Sequence, residues 1–153
     1  TNNQSYAAAT AKTLGLSVGY VAAPFNVQAV QAVMGSLDLL ILNAVEAEQL
    51  HQAIGQSPAQ LPVRDIIVTL GAEGCLWYGI EGQQQFEAMA VEPVDTTGAG
   101  DTFTGYVLAG LDRGMPMGQA ISMGIKAAGL MVTRLGTADV IPDLKDLQDA
   151  QLI

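Results

Sequence analysis

Apolar residues along this chain follow two rhythms. Short continuous apolar runs alternate with longer stretches in which apolar positions recur every three or four residues. The Ala-rich residues 5–14 read as a helix, and 17–22 as a short buried strand. Residues 27–34 fit one or two helical turns. Residues 37–42 form an apolar strand interrupted only by Asp38, and 44–54 a helix with Asn43 placed to cap it. A strand at 64–70 ends in a turn that begins at Gly71. Residues 75–78 and 84–91 predict paired strands across a Gly-rich turn at 79–82. Two helices follow at 100–113 and 117–133, the first with Phe103, Val107, Leu108 and Leu111 as its buried face. Alternation of this kind predicts an α/β fold, Rossmann-like and layered, with a largely parallel central sheet. The β–β stretch adds an antiparallel edge. The linker-like residues 56–62 are too few to separate domains.

Composition narrows the function. Half of the 153 residues are hydrophobic but only 5% are aromatic, so the core is aliphatic. A net charge of −9 argues against a non-specific nucleic-acid binder, which needs a Lys/Arg surplus to neutralise phosphates. It leaves nucleotides open, because backbone amides hold a phosphate without any lysine. Cys75 is the single cysteine, which rules out an intrachain disulfide and fits a reducing compartment. No run of 18 apolar residues and no signal-peptide pattern occurs, so the expectation is a cytoplasmic protein with no membrane partner. The sequence opens at Thr1 without Met, which suggests a piece of a longer protein.

The sharpest chemical feature runs Asp95-Thr96-Thr97-Gly98-Ala99-Gly100-Asp101-Thr102-Phe103. Small residues at 98–100 let a ligand approach the backbone closely. The helix that follows turns its free N–H groups and positive dipole end to the same spot, where an anion is favoured. Asp101 then brings a carboxylate into the first helical turn. The stretch is not a Walker loop, because no Gly-Lys-Ser/Thr occurs, and it lacks the third glycine of a dinucleotide fingerprint.

The string Asp-Thr-Thr-Gly-Ala-Gly-Asp-Thr-Phe resembles the C-terminal signature of ribokinase-like (PfkB) carbohydrate kinases. Three further stretches are similar and fall in the same order. They are Asn43-Ala44-Val45-Glu46, the run from Val68 through Thr69, Gly71 and Gly74, and Val132-Thr133-Arg134-Leu135-Gly136. The resemblance covers residues 1–153 as the C-terminal, ATP-binding and catalytic part of such a domain. It implies that the N-terminal half, with the sugar site and lid, is absent, so the isolated chain is expected to be inactive.

Several roles follow from the resemblance. Asp101 would be the general base that takes the proton of the attacking sugar hydroxyl. Gly98, Ala99 and Gly100 would form the anion hole. Asn43 would lie near the phosphates and Glu46 would help hold Mg²⁺ through water; the plain alternative is a helix cap with a solvated glutamate. Thr69, Gly71 and Gly74 would border ATP. Ile125 stands where relatives usually carry Asn or His near the adenine, so it offers packing without a hydrogen bond. Asp95 and Thr97 would take part in a monovalent cation site such as K⁺, although a neighbouring arginine or backbone amides would equally satisfy Asp95. His51, Cys75 and Trp77 read as solvent-facing, inert and packing residues respectively.

The expected partners are ATP or ADP and a small sugar or related alcohol, with no nucleic acid. Self-association, or pairing with the missing half, would cover the cut sheet. Two rivals stand beside a sugar kinase: a nucleoside or vitamin-alcohol kinase of the same superfamily, and a non-catalytic nucleotide-binding module.

Overall fold

The computed structural model describes residues 2–21, 25–136 and 138–153. It divides into two compact units. Residues 1–70 with 75–85 make up the first, and residues 71–74 with 86–153 the second.

The first unit is built on one five-stranded sheet, in spatial order β1 (Gly19–Val21), β2 (Leu39–Asn43), β3 (Asp65–Thr69), β4 (Cys75–Gly79) and β5 (Gly82–Phe86). β1 pairs parallel to β2 and β2 parallel to β3, whereas β4 runs antiparallel to β3. Helices α1 (Asn2–Thr13), α2 (Val27–Val33) and α3 (Ala44–Ile54) belong to this unit. Continuous apolar runs mark strands buried on both faces, and β2 and β3 behave so. Leu40, Leu42, Ile66 and Val68 join Val30, Val33 and Leu50 in one core. Leu39, Ile41 and Ile67, which point to the opposite face, are buried too.

At the N-terminal ends of these strands the interruption at Asp38 has a structural explanation. Its carboxylate accepts from Lys12 Nζ at 2.5 Å and from the Val18 amide at 2.8 Å, tying α1 and β1 to β2. The buried Asp65 is likewise partnered, by Arg64 Nε (2.9 Å) and by the indole N–H of Trp77 (3.0 Å).

The second unit centres on α4 (Ala99–Asp112) packed against α5 (Met117–Val132), with a short α6 (Leu144–Asp149) behind them. The apolar stripe of α4 is Phe103 and Val107, with Thr102 and Gly110 also buried. Leu108, expected on that face, is exposed, because one helical step turns it about 100° away from Val107.

Two strand boundaries depart from the sequence reading. The strand expected at 17–22 is confined to Gly19–Val21, and Ala22 lies outside the described residues. The strand expected at 84–91 is instead Gly82–Phe86. The apolar run that follows leaves the sheet because Met89 packs on the bare backbone of Gly129 in α5. Helix α6 had no counterpart in the sequence reading. Its signal was Asp143 three residues before Asp146, which together form a capping box.

Candidate active site

The candidate residues fall on both units. In the first, Asn43 ends β2 and also caps α3. Its Oδ1 accepts from the Glu46 amide at 2.8 Å, and Glu46 Oε2 accepts from the Asn43 amide at 2.8 Å. The helix-cap alternative is therefore real. Thr69 is the register partner of Asn43 across β2 and β3, and its hydroxyl donates to the Leu42 carbonyl at 3.5 Å. Asn43, Glu46 and Thr69 thus gather at the C-terminal ends of two parallel strands, the end where open α/β sheets bind ligands.

In the second unit, Gly71 and Gly74 both have left-handed backbone, at φ 60° and 93°. They differ in surroundings. A Cβ on Gly74 would stand 1.8 Å from the Phe86 carbonyl oxygen, whereas one on Gly71 meets nothing within 4 Å. Ile125 lies half-buried on α5.

Residues 94–98 form one tightly tied loop that leads into the first turn of α4. The amides of Val94 (2.6 Å) and Asp95 (3.1 Å) both donate to the Val132 carbonyl at the end of α5. Asp95 Oδ1 accepts from the Thr97 amide at 2.9 Å. Hydrogen bonds from Thr97 hold the Asp95 carboxyl below its ordinary pKa against an opposing desolvation, and the Gly136 amide adds to them. Asp95 is half-buried, and these backbone amides are one of the partners that the sequence allowed in place of a cation.

The Ala99 amide donates to the Thr96 carbonyl at 3.2 Å, and the chain enters α4 through Gly98 at φ 80°. A glycine cap brings no side-chain oxygen to the helix start, so the first-turn N–H groups at Gly100 and Asp101 keep their capacity for an anion. The Ala99 amide is engaged by the Thr96 carbonyl. Asp101 is exposed in that first turn and lines a cleft of about 400 Å³ together with Gly105, Tyr106, Arg113, Ile141 and Asp143. Tyr106, which also lines it, donates to the Pro142 carbonyl.

The turn therefore brings Gly98, Ala99, Gly100 and Asp101 together, with Asp95 and Thr97 leading into it. Sequence reasoning missed what lies beneath it, namely Thr102 and Met131. Nothing in their identity marks a buried contact 29 residues apart. Of the other residues singled out, His51 is exposed. Burial pushes the Cys75 thiol up to about 11, which makes it a poor nucleophile.

The pfkB family carbohydrate kinase pattern matches residues 4–144 of this chain. The chain belongs to that family. A ribokinase of Staphylococcus aureus is 30% identical over 122 residues, which cover 72% of this chain and 40% of that protein. Among solved structures, the ribokinase of Cryptococcus neoformans in complex with ADP superposes with a TM-score of 0.86 at 25% identity, over 97% of this chain and 57% of that one. The aminoimidazole riboside kinase of Salmonella enterica, complexed with aminoimidazole riboside and an ATP analogue, superposes with a TM-score of 0.78 at 25% identity, over 95% and 55%. The α/β architecture is thus the ribokinase fold, and the chain spans little more than half the length of these solved relatives. Among the described residues no helix is long and apolar enough to cross a membrane.

Proposed function

We propose that this chain is the nucleotide-binding and catalytic part of a kinase that transfers the γ-phosphoryl group of ATP to a hydroxyl of a sugar or sugar-bearing acceptor. The observation that carries the reading is the entry to α4. A left-handed Gly98 leaves the helix start open to a phosphate, and Asp101 presents an exposed carboxylate in the same turn. Family membership and two relatives solved with ADP or an ATP analogue support it. The remaining sugar-contacting residues and the lid are assigned to the part of the protein outside this chain, and the isolated chain is expected not to turn over. Its place of action is proposed to be the cytoplasm.

In this reading the helix dipole and the amides at Gly100 and Asp101 draw the terminal phosphate to the turn and stabilise the charge that builds on it. Asp101 orients the acceptor hydroxyl and takes its proton as the new O–P bond forms and the bond to the β-phosphate breaks, releasing ADP. Thr69, Gly71 and Gly74 border the nucleotide, and Asn43 lies towards its phosphates. Ile125 packs by the base without a hydrogen bond.

Mg²⁺, when bound with the nucleotide, supplies neutralisation of phosphate charge. Among the described residues no three acidic, His or Cys side chains group into a ready cage, which suits an ion that keeps several waters. Glu46 spends Oε2 on the Asn43 amide, so Oε1 is the oxygen left for a water-bridged ion. At Asp95 and Thr97 a K⁺ ion would share the carboxylate with amides that already satisfy it, so Asp95 alone does not call for one.

The test is ATP turnover by the full-length protein against a panel of sugars, nucleosides and vitamin alcohols. Asp101→Asn is expected to lower kcat by roughly 10² to 10⁴ while KM for ATP moves little. Near-parent turnover in that variant removes Asp101 from the role of base. Nucleotide binding without turnover on any acceptor would favour a non-catalytic module.

A further inference from the structure

Met131 ends the apolar stripe of α5 and is 1% exposed. Its terminal methyl carbon stands 2.9 Å from where a Cβ on Gly98 would be. The sulfur of the same side chain accepts from the hydroxyl of Thr102 at 2.7 Å, and Thr102 is 3% exposed. One side chain therefore touches the glycine turn from below at its cap and again one helical turn into α4.

A helical threonine ordinarily turns its hydroxyl back to a carbonyl three or four residues earlier. For Thr102 the fourth is Gly98, which sits at the turn itself. Here the hydroxyl goes to sulfur instead, and the Gly98 carbonyl takes the Thr102 amide alone, at 2.9 Å. The next residue of α5 completes the arrangement, since the Val132 carbonyl holds the amides of Val94 and Asp95 at the other end of the loop. The last turn of α5 thus acts as a template for the 94–98 loop and the first turn of α4.

We propose that Met131, with Thr102, is a positioning residue. It fixes the height and tilt of the Gly98–Gly100 turn, and so the direction of the amides that meet the transferred phosphoryl group. The catalytic consequence rests on the function proposed above; the positioning of the turn does not. A methionine that merely fills space would change stability when altered and leave the turn's amides as protected as the rest of α4. A prop makes a different demand. Amides that act only on the transition state lose kcat when misaimed, and a displacement of about 1 Å is enough to cost as much as 10²-fold.

The experiment compares the full-length parent protein with Met131→Ala and Met131→Leu, by amide hydrogen exchange and by kinetics. In Met131→Ala, exchange at the Ala99 and Thr102 amides is expected to rise about tenfold more than at Val107 and Leu111, because opening becomes local. The kcat should fall about tenfold or more with KM for ATP within about threefold. Met131→Leu, which keeps the bulk under Gly98 but removes the sulfur that Thr102 donates to, should recover part of both. Uniform exchange along α4 with kcat within about twofold of the parent would overturn the proposal. So would a loss that Met131→Leu does not relieve. Should Met131→Ala fail to fold, Thr102→Val removes the hydroxyl without opening a void. Faster exchange at the Ala99 amide then supports the proposal and unchanged exchange overturns it. A parent protein that transfers no phosphate would count against the proposed function, and the exchange measurement would still decide the positioning role.

Discussion

Two glycines three residues apart offer a controlled test of why each is glycine. Gly71 and Gly74 share left-handed backbone, a conformation that costs a residue with a Cβ about 1–2 kcal/mol. For Gly71→Ala that is the whole expected penalty, since nothing lies within 4 Å of the added methyl. For Gly74→Ala the methyl would fall 1.8 Å from the Phe86 carbonyl oxygen, 2.8 Å from the Ala88 nitrogen and 2.9 Å from the Glu87 carbonyl carbon. All three are backbone atoms and cannot rotate away. The chain at 86–88 has to move, and with it Met89 on Gly129. Overpacking of this kind adds about 1–3 kcal/mol or more. The sum for Gly74→Ala is about 2–5 kcal/mol, reaching the far end of what single substitutions do. At about 2–4 °C per kcal/mol for a protein of this size or larger, melting temperatures should fall by about 2–8 °C for Gly71→Ala and about 4–20 °C for Gly74→Ala. Urea midpoints and thermal melts of the full-length protein read the difference directly. Nucleotide titration adds a second axis. Gly71, with open space before it, is the one whose substitution should weaken ATP binding out of proportion to stability. Equal losses of stability in the two variants would refute the close approach at Gly74.

Two further outcomes are expected. The hydrogen bond from Lys12, assisted by the Val18 amide, holds the Asp38 carboxyl below its ordinary value against an opposing desolvation. Such a group stabilises the fold above the unfolded carboxylate value of about 3.9, and the contribution is lost as pH falls through the lower folded value. Asp38→Asn should therefore be less stable than the parent at pH 7, yet show a shallower loss of urea midpoint below about pH 4; parallel acid limbs would contradict this. The second concerns association. β1 stands at one end of the sheet, with Leu16 and Val21 exposed near it. An open edge of this sort pairs with other chains. The isolated 153-residue chain should sediment above its 15.9 kDa monomer mass at micromolar concentration, or stay bound to the rest of its protein. A clean monomer with a two-state melt would refute it.

The parts of the fold legible in the sequence were those where side-chain pattern and backbone role coincide. Asn43 followed three residues later by Glu46 announces a helix start, and α3 begins there. Leu39 to Leu42 are apolar without alternation because both faces are covered, and they form β2. The glycine turn was legible for the same reason, since a left-handed cap admits few other residues. What escaped was structure set by partners distant along the chain. Gly82 and Gln83 enter β5 ahead of the expected start at Gln84, through backbone pairing that a glycine and a polar side chain do not advertise. Met89 leaves the sheet for a glycine 40 residues away. Leu108 carries an apolar side chain outward because the stripe of α4 is narrower than its composition suggests. The division into two compact units is not written in any linker, since residues 71–74 change unit within an unbroken stretch.

Asn43 is at once the last residue of β2 and the cap of α3, so the connection between them contains no loop residue. Without slack, length becomes a stricter constraint than identity. One residue inserted between Asn43 and Ala44 would turn the helix by about 100° and shift it by about 1.5 Å. Leu50, now 1% exposed, would swing out of the core, while Glu46 would leave the asparagine that caps its helix. Substitutions at this junction can be absorbed one at a time, whereas insertions and deletions cannot. Length variation among relatives should therefore gather elsewhere, in exposed connections such as that around Gln56, where added residues displace no buried side chain.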